Sequence, residues 1–450
     1  MKRIITSLTL AASLIAATGI VSVTHAQQFG VVALTGARLF DGTGSAPIER
    51  ATLILRNGRV EAAGAANAVS IPGGAERIDL TGKTIVPGFI NAHGHINEGF
   101  EAASARDSLA AQLRQYASYG VTTVVVLGIV EENFEAALGL RAEQRAGRAL
   151  DAALGLRAEQ RAGRALDVAR AYIAGPSIQN LATAAEARAR VDTFADAGAD
   201  VIKIHITGSP NDMTPAVYGA LIDQAHTRGL DVSAHMYYLE DARGLVDAGV
   251  DVLAHSVRDQ DVDASLINEI KRRNVGYTPT LTRDLARFVY ESIPDFLSDP
   301  FFLQRSQPYA AEIEVVRDPA RQEEMRTSEV RQADKIGLQR GERNLKILSD
   351  AGVLIGLGTD TGTNVGQWQG YFEHVEMAMM ADAGMTPMQV LVAATGGAAR
   401  VAGLDDELGT LQPGRWADLV VLNANPLEDI RATRQIDSVW IAGRRLADMP

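Results

Sequence analysis

Eight short runs rich in β-branched residues recur between about residues 85 and 402, separated by longer stretches with helical apolar spacing. They are IVPGFINAH (85–93), VTTVVVLG (121–128), ARAYIAG (169–175), DVIKIHI (200–206), LDVSAH (230–235), DVLAHS (251–256), VGYTPTL (275–281) and VLIGLGTD (353–360). Strands alternating with helices build parallel sheets, because a crossover must return the chain to the same end of the sheet. Eight in order predict an α/β fold of the (β/α)8 TIM-type barrel class over 85–402. Helices are expected at 215–228 and from Thr386-Pro387 toward Ala402, each with proline in its first turn.

The flanks read differently. Residues 27–84 hold short strands and turns, with Asn57-Gly58 a hairpin signal, and 403–450 hold more of the same. Together they predict one small β-sandwich domain built from both ends of the chain. Residues 1–26 have a basic start, an apolar middle and a small-residue ending, Thr24-His25-Ala26. This reads as a signal peptide, hence a secreted or periplasmic protein; a membrane anchor is the other reading of the run. The stretch AALGLRAEQRAGRALD occurs at 136–151 and again at 152–167. Sixteen residues turn a helix to about 160° out of phase, so one straight helix cannot bury the same stripe twice. The second copy is expected to project.

Net charge is −12, which argues against nucleic acid and anionic membrane as partners and leaves a small-molecule substrate; a homo-oligomer is compatible with it. With no cysteine, any metal must be held by histidine, carboxylate or a modified side chain.

The chain has eight histidines, and four of them fall near carboxyl ends of expected strands: His93, His95, His235 and His255. Asp360 ends the eighth run. Alternation puts Phe89, Asn91, His93 and His95 on one face of the first strand, Lys203 and His205 inward on the fourth, and His255 with Asp251 and Leu253 on the sixth. The carboxyl ends are where barrel enzymes assemble their sites. Four imidazoles, an ammonium and a carboxylate would be costly to bury without partners, and metal coordination satisfies them. An ammonium repels a cation. Lys203 is therefore deprotonated, paired with Asp360, or carboxylated by CO₂ to a carbamate whose two oxygens could bridge two ions.

In this order, His-x-His, Lys, His, His, Asp, the chain resembles the amidohydrolase superfamily, and within it the imidazolonepropionase-like and Xaa-Pro dipeptidase-like branch. The likeness is strong in 81-GKTIVPGFINAHGH-95, 198-GADVIKIHITG-208, 384-GMTPMQVLVAATGGAARVAGL-404 and 408-LGTLQPGRWADLVVLNANPLEDI-430. The resemblance implies that His93, His95 and Asp360 hold an inner divalent ion, carboxylated Lys203 bridges, and His235 and His255 hold an outer one. Zinc is the first candidate, with manganese, iron or cobalt compatible with the ligands.

It also implies hydrolysis of an amide-type C–N bond by a metal-bridging hydroxide, in a dipeptide, N-acyl amino acid or cyclic amide, with Asp360 moving the proton. Tyr238 stands in 235-HMYYLE-240 where deaminase branches place a glutamate, which lowers deamination. The text 254-AHSVRD-259 departs from the Glu-His-Gly of many peptidase-like relatives. Tyr237, His205 and Arg258 are the candidate substrate contacts. The rivals are a one-metal cyclic amidase or lactonase with unmodified Lys203, and an inactive binding protein on the same fold.

Overall fold

A computed structural model describes residues 30–96, 100, 105–128 and 168–447. The expected leader at 1–26 and the duplicated segment at 136–167 lie outside them. Among the described residues, no helix is long and apolar enough to cross a membrane.

Seven of the eight expected strands form, all parallel. Phe89–Gly94, Val121–Val126 and Arg170–Ile173 make one sheet in that order, and Val201–His205, Asp231–His235, Val252–Ala254 and Gly276–Thr278 make another. The expected single closed ladder is thus not seen. The two sheets are joined by bridges at Ala174–Val201 and Ile178–Ile204. The eighth run forms no ladder strand, although hydrogen bonds link it to both neighbours: Tyr277 N–H donates to Leu354 O at 2.9 Å, and Ala92 N–H to Leu357 O at 2.8 Å. Its glycines supply the reason. A Cβ on Gly356 would lie 3.0 Å from Val401, and one on Gly358 would lie 2.9 Å from the His93 Cβ, so this segment passes too close to its surroundings for a side-chain-bearing strand.

Helices cover the outside, and their ends follow local chemistry. Ala184–Ala197 starts on a capping box between Thr183 and Glu186 and ends at left-handed Gly198, burying Ala187, Val191 and Phe194 at helical spacing. Pro215–Thr227 opens on proline as expected. The helix expected from Thr386 onward breaks in two, Pro387–Ala393 and Gly396–Val401, with Thr395 outside the helical region. Gly396 and Gly397 allow the break, since Cβ atoms there would meet the Gly42 and Ile355 carbonyl oxygens at 2.4 and 2.6 Å.

The run IVPGFINAH is divided by Pro87-Gly88. Thr84–Pro87 pairs antiparallel with Leu419–Leu422 in a five-stranded sheet that also holds Ile436–Ile441, and only Phe89–Gly94 enters the central unit. A four-stranded sheet holds Val32–Thr35, Ala51–Arg56, Arg59–Ala65 and Glu76–Asp79, with the Asn57-Gly58 turn left-handed at both residues. One apolar cluster draws Leu34, Leu53 and Leu55 from this sheet and Leu39, Ile85, Leu419, Val421 and Trp440 from the other.

Candidate functional site

A cavity of about 350 Å³ opens at the carboxyl ends of the central strands, lined by His93, His95, Lys203, His205, His235, His255 and Asp360. A larger one of about 490 Å³ lies by Val275 and Val353, but no histidine or carboxylate lines it.

Plain alternation delivers Lys203, His205 and His235. On the fourth strand Val201 belongs to the interior cluster, while Ile202 and Ile204 pack with the helices. Alternation fails for the others. Phe89 packs edge-on against His374 at 5.6 Å, and Asn91 Nδ2 donates to Glu373 Oε1 at 2.6 Å, both on the outer helix Tyr371–Asp382. Those residues face away from the cavity. A register shift between Asn91 and Gly94 turns His93 and His95 inward. On the sixth strand Leu253 packs on the helix side, and His255 reaches the cavity because its own φ is +85°. Thr280 (φ +50°) and Asp360 (φ +61°) also take left-handed conformations at strand ends. Such backbone costs on the order of 1–3 kcal/mol per residue and persists where the surroundings over-determine it.

His93, His95 and Asp360 form the tight group, with one ligand atom from each lying within 4.8 Å of the others. Asp360 Oδ1 lies 3.1 Å from His93 Nε2 and 2.8 Å from His95 Nε2. The His95 Nδ1 lies 2.9 Å from the Gly128 carbonyl, which only accepts, so Nδ1 carries a proton and Nε2 is the nitrogen turned toward Asp360. Two imidazoles and a carboxylate are a donor set suited to a divalent transition ion. His93 Nδ1 is buried with no hydrogen-bond partner among the described residues. His235 and His255 are outside the tight group, though their rings lie 4.3 Å apart and the His255 ring lies 4.6 Å from His93. The His205 ring is 4.5 Å from His235.

Burial sets the protonation states. It lowers His93 to about 3, helped by the charge of Lys203, lowers His205 to about 3, and holds His235 and His255 well below the usual imidazole range. These rings are therefore neutral, as ligands must be. Burial pushes the Asp360 carboxyl up, but His93 and the hydrogen bonds of His93 and His95 outweigh it and keep it ionised. Lys203, 1 % exposed with Nζ 3.3 Å from His93 Nε2, is lowered to about 7, mainly by burial, against the pull of Asp360.

Two expected substrate contacts stand elsewhere. Arg258 does not line the cavity: it is 3 % exposed, paired with Asp284, and donates through Nη2 to Met236 O at 3.1 Å. Tyr237 does not line it either, because its ring lies 4.7 Å from the Arg258 guanidinium. The sequence reading missed Arg283 and Arg287, which do line it, together with Ser177, Gln179 and Asn364. For the two arginines, their place just after the seventh strand was the available signal. The aromatics Tyr290 and Phe302 of the segment after the seventh strand pack with Trp368, Tyr371 and Phe372.

The chain is 42 % identical over 105 residues to an uncharacterised protein of Mycobacterium bovis, covering 22 % of this chain and 16 % of that one. It is 36 % identical over 99 residues to an ochratoxinase of Aspergillus niger, covering 21 % and 19 %. The aligned stretch is under a fifth of the length of each of these relatives. Among solved structures, a Bifidobacterium longum protein assigned as a prolidase superposes with a TM-score of 0.74 at 26 % identity, covering 94 % of this chain and 95 % of that one. A Xaa-Pro dipeptidase with bound methionine superposes at 0.70, with 21 % identity and 92 % and 99 % coverage, which shows a shared fold. The sequence profile of the amidohydrolase family matches residues 84–446, and the chain belongs to that family.

Proposed function

We propose that the chain is a metal-dependent hydrolase of an amide-type C–N bond in a small molecule, exported after cleavage at Ala26. The observation that carries this is the convergence of His93, His95 and Asp360, whose ligand atoms lie within 4.8 Å of one another, with the His95 ring oriented by the Gly128 carbonyl. In this reading His93, His95 and Asp360 hold an inner ion, zinc first among the candidates, and His235 and His255 hold an outer one. Lys203, as a carbamate, would help to hold both. A buried amine lowered to about 7 supports this, since the neutral amine is the form that reacts with CO₂. The fold that goes with it is a (β/α)8 barrel with a small β-sandwich from both termini, supported by the bridges between the sheets and the cluster shared by the flanking strands.

Divalent ions held by these residues would supply acidification of a water and polarisation of the scissile carbonyl. Asp360 accepts the proton that the attacking water loses and returns it to the departing nitrogen, so the C–N bond breaks to acid plus amine. His205, on the cavity wall, contacts the substrate.

A one-ion hydrolase with unmodified Lys203 is the second reading, favoured by the tight group being limited to His93, His95 and Asp360 among the described residues. A panel of dipeptides, N-acyl amino acids, cyclic amides and lactones, assayed with metal-loaded protein, tests the proposal. Hydrolysis of the amides supports it. Turnover of lactones alone, or of nothing in the panel, would remove it.

A further inference from the structure

The cavity holds positive charge that the proposed chemistry does not use. Arg283 lines it at 21 % side-chain exposure, with Nε 3.8 Å from Asp360 Oδ2. Its Nη1 donates to Asp284 Oδ1 at 2.7 Å. That same oxygen also accepts from the buried Arg258, so a single carboxylate serves two guanidiniums and the trio keeps a net positive charge. Arg258 is held in turn by Met236 O and by the Tyr237 ring. Arg283 is therefore aimed into the cavity by a buried support. Arg287, four residues on, adds a second guanidinium to the wall, paired through Nε with Asp334.

We infer that Arg283 is a specificity-determining residue that takes a carboxylate on the amine side of the scissile bond, with Asp284 and Arg258 as its positioning residues. This rests on the hydrolase reading above. Asp360 delivers its proton to the departing nitrogen, and Arg283 lines the same cavity with Nε 3.8 Å from Asp360 Oδ2. In an N-acyl α-amino acid or dipeptide the carboxylate carbon is two bonds from that nitrogen, within reach of the guanidinium. The planar fork of arginine matches a carboxylate, and a partly desolvated site strengthens the contact. The substrate class is then an N-acyl amino acid with a free α-carboxylate, and an N-acyl amine without one is a poor substrate.

The test compares N-acetyl-phenylalanine with N-acetyl-phenethylamine, its analogue without the carboxylate, on wild type, Arg283→Ala and Arg283→Lys. Wild type is expected to favour the acid by about 100-fold in kcat/KM, the scale of two charge-assisted hydrogen bonds. Arg283→Ala is expected to bring that ratio toward one, mainly through KM, with Arg283→Lys between them. Equal rates for the two compounds in wild type, or an unchanged ratio in Arg283→Ala, overturns the inference while leaving the hydrolase reading intact. If wild type cleaves neither compound, calorimetric binding of N-acetyl-phenylalanine decides: at least about tenfold weaker binding to folded Arg283→Ala supports the inference, and equal binding overturns it.

Discussion

Glu373 accepts a hydrogen bond from Asn91 at 2.6 Å, tying an outer helix to the first central strand two residues before His93. The same oxygen, Oε1, accepts from Thr359 at 2.9 Å and Thr361 at 2.8 Å, the two neighbours of Asp360. Tyr116 reaches Thr361 Oγ1 at 2.8 Å and donates to the His95 carbonyl at 3.0 Å. One buried carboxylate thus fixes the segments that carry His93, His95 and Asp360.

This clamp has a pH signature. Burial pushes the Glu373 carboxyl up from 4.5 to about 7. The folded state keeps a proton that the unfolded chain has released, so this stabilisation is complete below pH 4.5 and is lost as pH rises through 7. Glu373→Gln keeps the accepting oxygen and removes the charge. The variant should gain on wild type by on the order of 3 kcal/mol between pH 4.5 and 8.5, read as the change in Tm difference across that range. A pH-independent difference would show that Glu373 is ionised throughout.

Lys203→Ala should lose most turnover and part of the bound metal, with partial rescue by short carboxylic acids that replace the carbamate oxygens. Unchanged kinetics in bicarbonate-free buffer would remove the bridge.

Asp360→Asn removes the proton acceptor and leaves the two imidazoles in place. Turnover should fall by about 10³-fold while most of the metal stays bound, checked by metal analysis beside steady-state rates. A normal rate would take Asp360 out of proton transfer.

Arg258→Ala leaves the buried Asp284 with Arg283 alone. Destabilisation of about 3 kcal/mol is expected in denaturant titrations, together with a raised KM for carboxylate-bearing substrates. An unchanged KM would mean that Arg258 serves packing only.

The central strands and the residues that end them were legible because β-branched runs and alternation report directly on a parallel sheet. Lys203, His205 and His235 follow from counting by twos. His93, His95 and His255 reach the cavity through a register shift and a left-handed φ, and neither leaves a mark in residue-type patterning. The eighth run was read as a strand from Val353, Leu354 and Ile355, whereas the contacts made at Gly356 and Gly358 decide its conformation. Arg258 and Arg283 are both arginines in segments that follow strands. Which one is buried and which faces the cavity depends on Asp284, a long-range partner for Arg258 that sequence spacing does not show.

The most direct test of the account is stepwise metal loading of chelator-stripped protein, with bound zinc per chain and amide hydrolysis followed in parallel. Activity should be absent in the stripped protein, rise with bound metal and saturate at two ions per chain. Hydrolysis at full rate with no metal bound would contradict it.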